Sequence, residues 1–156
     1  MASRFTRRAL LGGGVFLIGG AAFVAAGGQN AFYSLITEDI QGDRIDAPTA
    51  YELAKSGDIL LIDIRRPDEW AKTGSGVGAA RLDMRRTDFI DALDILTEGR
   101  RDRPVALICA RGVRSARLNN LLVEAGFTRI IDVPEGMLGS AAGPGWIARD
   151  LPLDRS

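Results

Sequence analysis

Three short apolar runs constrain this chain more than any other feature: Ile59-Leu60-Leu61-Ile62-Asp63-Ile64, Val105-Ala106-Leu107-Ile108 and Arg129-Ile130-Ile131-Asp132-Val133. Each is too short for a buried helix, and none alternates polar with apolar residues, so each reads as a strand covered on both faces. Helical patterns fill the intervals. Phe89, Ile90, Leu93 and Leu96 recur at helical spacing before Gly99, and Leu118, Leu121, Leu122 and Ala125 mark one face of a helix over 115–125 that Gly126 ends. Asp46 ahead of Ala47-Pro48 predicts a capped helix running to Ser56, with Gly57 as its stop. Pro67 to Lys72 reads as a short helix with acids in its first turn, and a glycine-rich loop from Gly74 to Gly78 leads to a brief strand at Ala80-Arg81-Leu82. Strands separated by helices imply right-handed crossovers. The predicted fold class is α/β, one small domain over 45–156 with a central, mainly parallel sheet flanked by helices.

Composition removes whole classes of chemistry. The 20 basic and 20 acidic residues cancel, which gives no electrostatic case for nucleic acid as a partner. The chain has no histidine, which excludes a Ser–His–Asp triad, a Cys–His pair and any histidine-ligated metal. A single cysteine, Cys109, excludes an internal disulfide, a CxxC pair and a cysteine-rich metal site.

The first 26 residues read as a signal peptide or membrane anchor. Arg4, Arg7 and Arg8 precede a stretch from Ala9 to Thr37 without any charge. Ser3-Arg4-Phe5-Thr6-Arg7-Arg8-Ala9-Leu10-Leu11 resembles a twin-arginine signal, and glycines at 12, 13, 14, 19 and 20 keep the run only moderately hydrophobic. Val24-Ala25-Ala26 suits cleavage after Ala26, whereas membrane attachment through residues 10–26 would use a segment at the short limit of about 17–25 residues. The pattern predicts export to the periplasm, or anchorage in the inner membrane facing it. Cleavage removes three arginines and leaves 17 bases against 20 acids. Residues 27–44 read as a linker, beginning Gly27-Gly28-Gln29-Asn30.

In open α/β sheets, sites form beyond the carboxyl ends of the strands. Cys109 directly follows the second buried strand, and Asp63 stands at the corresponding end of the first. Cys109-Ala110-Arg111-Gly112-Val113-Arg114-Ser115 joins that strand to a helix. A tight turn here aims successive backbone N–H groups inward as an anion-binding nest, and Gly112 supplies the conformation other residues avoid. The helix start adds a positive dipole end, and Arg111 and Arg114 add two charges. Fixed dipoles and arginines then favour the thiolate in place of a histidine base, and the same donors grip an anionic substrate. A carboxylate beside the sulfur would oppose this. Asp63 is therefore expected to pair with an arginine and stiffen the site. Trp70 and Trp146 are read as packing residues, with Trp146 also a candidate wall of the entrance.

These motifs together resemble the rhodanese family of sulfurtransferases. Cys109-x-x-Gly112-x-Arg114-Ser115 is similar to the active loop of single-domain members, and Leu61-Ile62-Asp63-Ile64-Arg65-Arg66-Pro67-Asp68-Glu69-Trp70 to the family's first signature. Ala79-Ala80-Arg81-Leu82, Glu135-Gly136-Met137, Gly145-Trp146 and Leu151-Pro152-Leu153 match further stretches, so the resemblance covers about 45–154. It implies that Cys109 is the catalytic nucleophile and carries a persulfide. It also implies that Ala110, Arg111, Gly112, Val113, Arg114 and Ser115 bind substrate, with Asp63, Arg65 and Glu69 in support. The implied substrates are a small sulfur-containing anion such as thiosulfate and a cyanide or thiol acceptor. No cofactor and no metal are required. Two departures stand out: Gly74-Ser75-Gly76-Val77-Gly78-Ala79 lacks the family's usual His and Pro, and position 110 is Ala where many thiosulfate users have Arg. The alternatives are a non-catalytic persulfide carrier or binding module for a partner protein, a cysteine phosphatase or arsenate reductase, and a purely structural domain. The loop is one residue shorter than the Cys-x5-Arg loop of the phosphatases.

Overall fold

A computed structural model describes residues 28–156 of the chain. The predicted signal or anchor of residues 1–26, and its cleavage point, lie outside the described residues. Among the described residues no helix is long and apolar enough to cross a membrane.

The elements in chain order are α1 (Gln29–Ile36), β1 (Asp43–Arg44), α2 (Ala47–Ser56), β2 (Leu60–Asp63), α3 (Pro67–Thr73), β3 (Ser75–Gly76), β4 (Ala79–Arg81), α4 (Phe89–Leu96), β5 (Val105–Ile108), α5 (Val113–Glu124), β6 (Ile130–Asp132) and β7 (Leu153–Asp154). Five strands form one sheet in the order β1-β6-β5-β2-β4, every pair parallel. The α/β architecture read from the alternating pattern is the one observed. The three apolar runs become the three central strands, and β5, inaccessible to solvent along its whole length, lies in the middle.

Side-chain alternation along β5 divides the core. Val105 and Leu107, with Cys109 next in phase, pack with Ile62, Leu93, Leu118, Leu122 and Phe127 on one face. Ala106 and Ile108 pack with Leu61, Ala50, Val133, Met137 and Trp146 on the other. Each fully buried Leu or Ile contributes roughly 1.5–3 kcal/mol, so the two layers supply the main driving force. Trp146 is entirely buried, stacks edge-on to Tyr51 at 5.9 Å between centroids and donates its indole N–H to the Pro152 carbonyl at 3.0 Å. It packs the core and walls no entrance.

The α2 boundaries follow their sequence signals. The Asp46 carboxylate accepts the Thr49 N–H at 2.9 Å, and Gly57 closes the helix at φ +82°.

The linker reading of 27–44 needs correction. It contains α1, and Asp43–Arg44 is an edge strand pairing with Ile131–Asp132, so the sheet begins before residue 45. A two-residue strand is too short to show a period, and α1 buries no residue that would mark a face. The antiparallel pair β3–β7 escaped detection for the same reason. Helix α5 starts at Val113, two residues ahead of expectation, because Gly112 completes the turn by itself at φ +86°.

Candidate active site

Cys109 leaves the end of β5 with its side chain 1% exposed. Its Sγ accepts the Gly112 N–H at 3.2 Å and donates to Ser115 Oγ at 3.6 Å. This geometry depends on Gly112, whose left-handed conformation turns the amide back onto the sulfur. A Cβ there would collide with the Pro134 carbonyl. From outside, the Met137 and Leu138 amides donate to the Cys109 and Ala110 carbonyls, both at 2.9 Å, and hold the loop.

A cavity of about 380 Å³ lies against the loop, lined by Tyr33, Glu69, Cys109, Ala110, Arg111, Val113, Arg114 and Leu138. Five of the seven predicted loop residues border it. Gly112 contributes its amide to the sulfur without lining the cavity. Ser115 does not border the substrate space as expected. It is fully buried outside the cavity, where its hydroxyl donates to the Gly112 carbonyl at 3.1 Å, because α5 starts early enough to turn position 115 into the core.

The two arginines differ. Arg114 does not offer a free charge to the loop's cargo: Nη1 and Nη2 donate to the two oxygens of Glu69 at 2.8 and 2.7 Å. This pairing, with the Arg66 N–H in support, holds the Glu69 carboxyl down to about 2 against the opposing effect of burial. Glu69 in turn raises Arg114 through this pairing, and the Asp63 charge adds to the effect. Arg111 is held by the Gly139 carbonyl at 3.0 Å and lies over the Tyr33 ring at 5.4 Å, so a carbonyl and a ring restrain it and leave its charge for an anion.

Asp63 and Arg65 stand away from the cavity and form a buried ion pair, 0% and 1% exposed. Arg65 donates to the Asp63 carboxylate from Nη2 at 2.7 Å, from Nε at 2.9 Å and from its backbone N–H at 3.1 Å. Ser75 Oγ donates to the same carboxylate at 2.7 Å, while Arg65 also reaches Thr73 Oγ1 and the Gly74 carbonyl. The pair therefore ties the end of β2 to α3 and to the strand after it.

Three side chains were not singled out from the sequence. Tyr33 walls the cavity from α1, inside the supposed linker. Glu135 is buried and accepts from Ala47 N–H, Gly145 N–H and Arg149 Nε at 2.7–2.8 Å, which fastens the start of α2 to the carboxy-terminal segment. Asp132 ends β6 with its carboxyl pushed up to about 6 by burial, against the lowering effects of the Ser115 hydroxyl, Arg44 and the Val133 amide.

A family model described as a rhodanese-like domain matches residues 46–141. A protein named sulfurtransferase from Allochromatium vinosum is 30% identical over 101 residues, covering 65% of this chain and 83% of that protein. The tRNA uridine(34) hydroxylase of Acinetobacter baylyi is 28% identical over 103 residues, which is 64% of this chain and 32% of the hydroxylase. The chain thus spans about a third of the hydroxylases it matches. Among solved structures, the polysulfide-sulfur transferase homodimer of Wolinella succinogenes aligns with a TM-score of 0.57 at 25% identity, over 86% of this chain and 91% of that one.

Proposed function

The chain belongs to the rhodanese-like sulfurtransferase family, and from that premise we propose that it moves a sulfane sulfur from a donor such as thiosulfate to a thiophilic acceptor through a persulfide on Cys109. One observation carries the reading: the chain's single sulfur nucleophile lines an open cavity while a fixed backbone N–H aims at it from 3.2 Å. The Cys109 thiolate attacks the outer sulfur of thiosulfate. A new S–S bond forms, the S–S bond of the donor breaks, and sulfite departs with the electron pair. Cyanide or a thiol then attacks the outer sulfur of the persulfide, takes it as thiocyanate or a new persulfide, and returns the thiolate.

The loop residues divide this work. The Gly112 amide holds charge on sulfur, and Arg111 attracts the anionic donor. The Glu69–Arg114 pair builds a polar wall with little net charge, and Val113 and Ala110 complete the apolar side. In Ala110 a methyl group stands where a donor could, which leaves fewer contacts for an inorganic anion and favours, as a second reading, a persulfide carrier serving a partner protein. Steady-state transfer from thiosulfate to cyanide separates the two. Export belongs to the proposal as well: with one cysteine, an exported Cys109 relies on reduced donors or partner thiols for its restoration.

Intact mass after incubation with thiosulfate tests the chemistry. The expected result is a gain of one sulfur atom that cyanide reverses and that C109S does not show. No gain with thiosulfate or polysulfide, or an equal gain in C109S, overturns the reading. Hydrolysis of an aryl phosphate without persulfide formation would replace it with a phosphatase.

A further inference from the structure

Helix α1 meets the rest of the molecule through two polar side chains. Of its eight residues only Asn30 and Tyr33 are partly buried, and the apolar Phe32, Leu35 and Ile36 are all exposed. Asn30 and Tyr33 lie three apart and so share one face of the helix. Both touch the same group, Arg111 of the active loop. Arg111 Nη1 donates to Asn30 Oδ1 at 3.4 Å, and the guanidinium carbon stands 5.4 Å from the centre of the Tyr33 ring. Just beyond α1, the Asn120 side-chain amide on α5 donates to the Asp39 carbonyl at 3.0 Å and fastens the segment that carries the helix.

The guanidinium is held in a way that leaves one edge open. A second acceptor, the Gly139 carbonyl, also takes Nη1, at 3.0 Å. Among the described residues the side-chain hydrogen bonds of Arg111 all run from Nη1, while the ring covers one flat face. Nε and Nη2 remain, and those two parallel donors match the spacing of two oxygens on an oxyanion. Arg114 cannot serve in this way, because Glu69 occupies both of its terminal nitrogens. Arg111 is therefore the one cation lining the cavity that has no ionic partner among the described residues. A smaller cavity of about 100 Å³, bordered by Tyr33, Arg111 and Ser140, adjoins the first. A long flexible side chain with two hollows beside it needs a restraint to stay at one of them.

We propose that Tyr33 is a positioning residue for Arg111, its ring holding the guanidinium so that the cavity beside Cys109 selects anionic sulfur donors over neutral ones. Tyr33 lies outside the matched span of 46–141, so this selection is an addition made by α1. It deepens the sulfur-transfer reading and rests on it only for the identity of the anion.

Alkylation of Cys109 in the full chain by iodoacetate and by iodoacetamide tests the positioning without any sulfur donor. Cys109 is the only cysteine, so one adduct in an intact mass reports one site. The two reagents are nearly the same size and react with the same thiolate. The ratio of their rates at one pH and low salt therefore reports selection by charge, whatever the thiolate content. Y33L is expected to lower the iodoacetate-to-iodoacetamide ratio roughly two- to fivefold, the factor that a cation–π contact at a part-exposed site supplies. Y33F keeps the ring and should keep the ratio, and R111Q should lower it at least as far as Y33L. A Y33L ratio equal to or above that of the wild type overturns the proposal, even if both reagents react faster, because Tyr33 would then act only as a steric wall. A Y33F ratio as low as that of Y33L overturns it, since the ring face would not be what matters. An unchanged ratio in R111Q does so too, since the selecting charge would lie elsewhere. If the ratios behave as expected but thiosulfate adds no sulfur to Cys109, the positioning of Arg111 stands and the sulfur-transfer reading falls.

Discussion

Replacing Asp63 with Asn perturbs the buried Asp63–Arg65 pair while keeping its shape. The carboxylate receives three N–H groups from Arg65 and the Ser75 hydroxyl, and neither partner is more than 1% exposed. Asn removes the counter-charge and turns one acceptor oxygen into a donor facing donors. Breaking a buried pair in this way costs about 3–5 kcal/mol, because the surviving charge stays in a low-dielectric site. Arg65 keeps Thr73 Oγ1 and the Gly74 carbonyl, which places D63N at the lower end, about 3 kcal/mol. Against a typical total of roughly 5–15 kcal/mol this is a large loss, and it lowers Tm by about 10–15 °C in a domain of this size. Urea denaturation and calorimetry measure it. Asp63 does not border the cavity, so sulfur transfer by D63N at a temperature where it is folded should stay within several-fold of wild type. The companion D63L/R65M double variant, which removes both charges together, should be far less destabilised than either single change. A D63N cost below about 1 kcal/mol, the worth of a surface pair, would refute the reasoning. Loss of turnover without loss of stability would refute it equally.

Two more substitutions probe the loop and its wall. G112A places a side chain at φ +86° against the Pro134 carbonyl, which the Ser140 hydroxyl holds in place at 2.8 Å. It should cost about 2–3 kcal/mol in urea denaturation and slow Cys109 alkylation, and a cost below about 0.5 kcal/mol would contradict the packing. E69Q tests the Glu69–Arg114 pair through pH. A carboxyl lowered from 4.5 to about 2 on folding stabilises the protein above its unfolded value and loses that contribution as pH falls from 4.5 toward 2. The stability gap between wild type and E69Q, followed by thermal unfolding, should therefore narrow across that window. A gap of constant size would show that the pair contributes nothing through charge.

The parts of the fold legible in the sequence are those buried on both sides. β2, β5 and β6 announce themselves because central parallel strands need continuous apolar runs, and α2 because Asp46, Pro48 and Gly57 each leave a local signal. The active loop is legible for the same local reason: a glycine that must take a positive φ stands three residues after the cysteine. Relations across the chain are not local. Glu69 and Arg114 meet from 45 residues apart, and only the register of β2 beside β5 brings their helices together. Asp132 reads as an ordinary polar strand end until α5 is laid over it. Tyr33 sits in eight residues that bury nothing themselves, so their sequence carries no packing pattern to detect.

That tyrosine has a consequence for how this protein could diverge from its kin. The family match begins at residue 46, while one side of the cavity beside Cys109 comes from a helix that ends at residue 36. Tyr33 thus borders the proposed substrate space from outside the matched span, whereas Cys109, the proposed nucleophile, lies within it. Changes in that outlying helix can retune which molecules enter while the bond-making apparatus stays untouched.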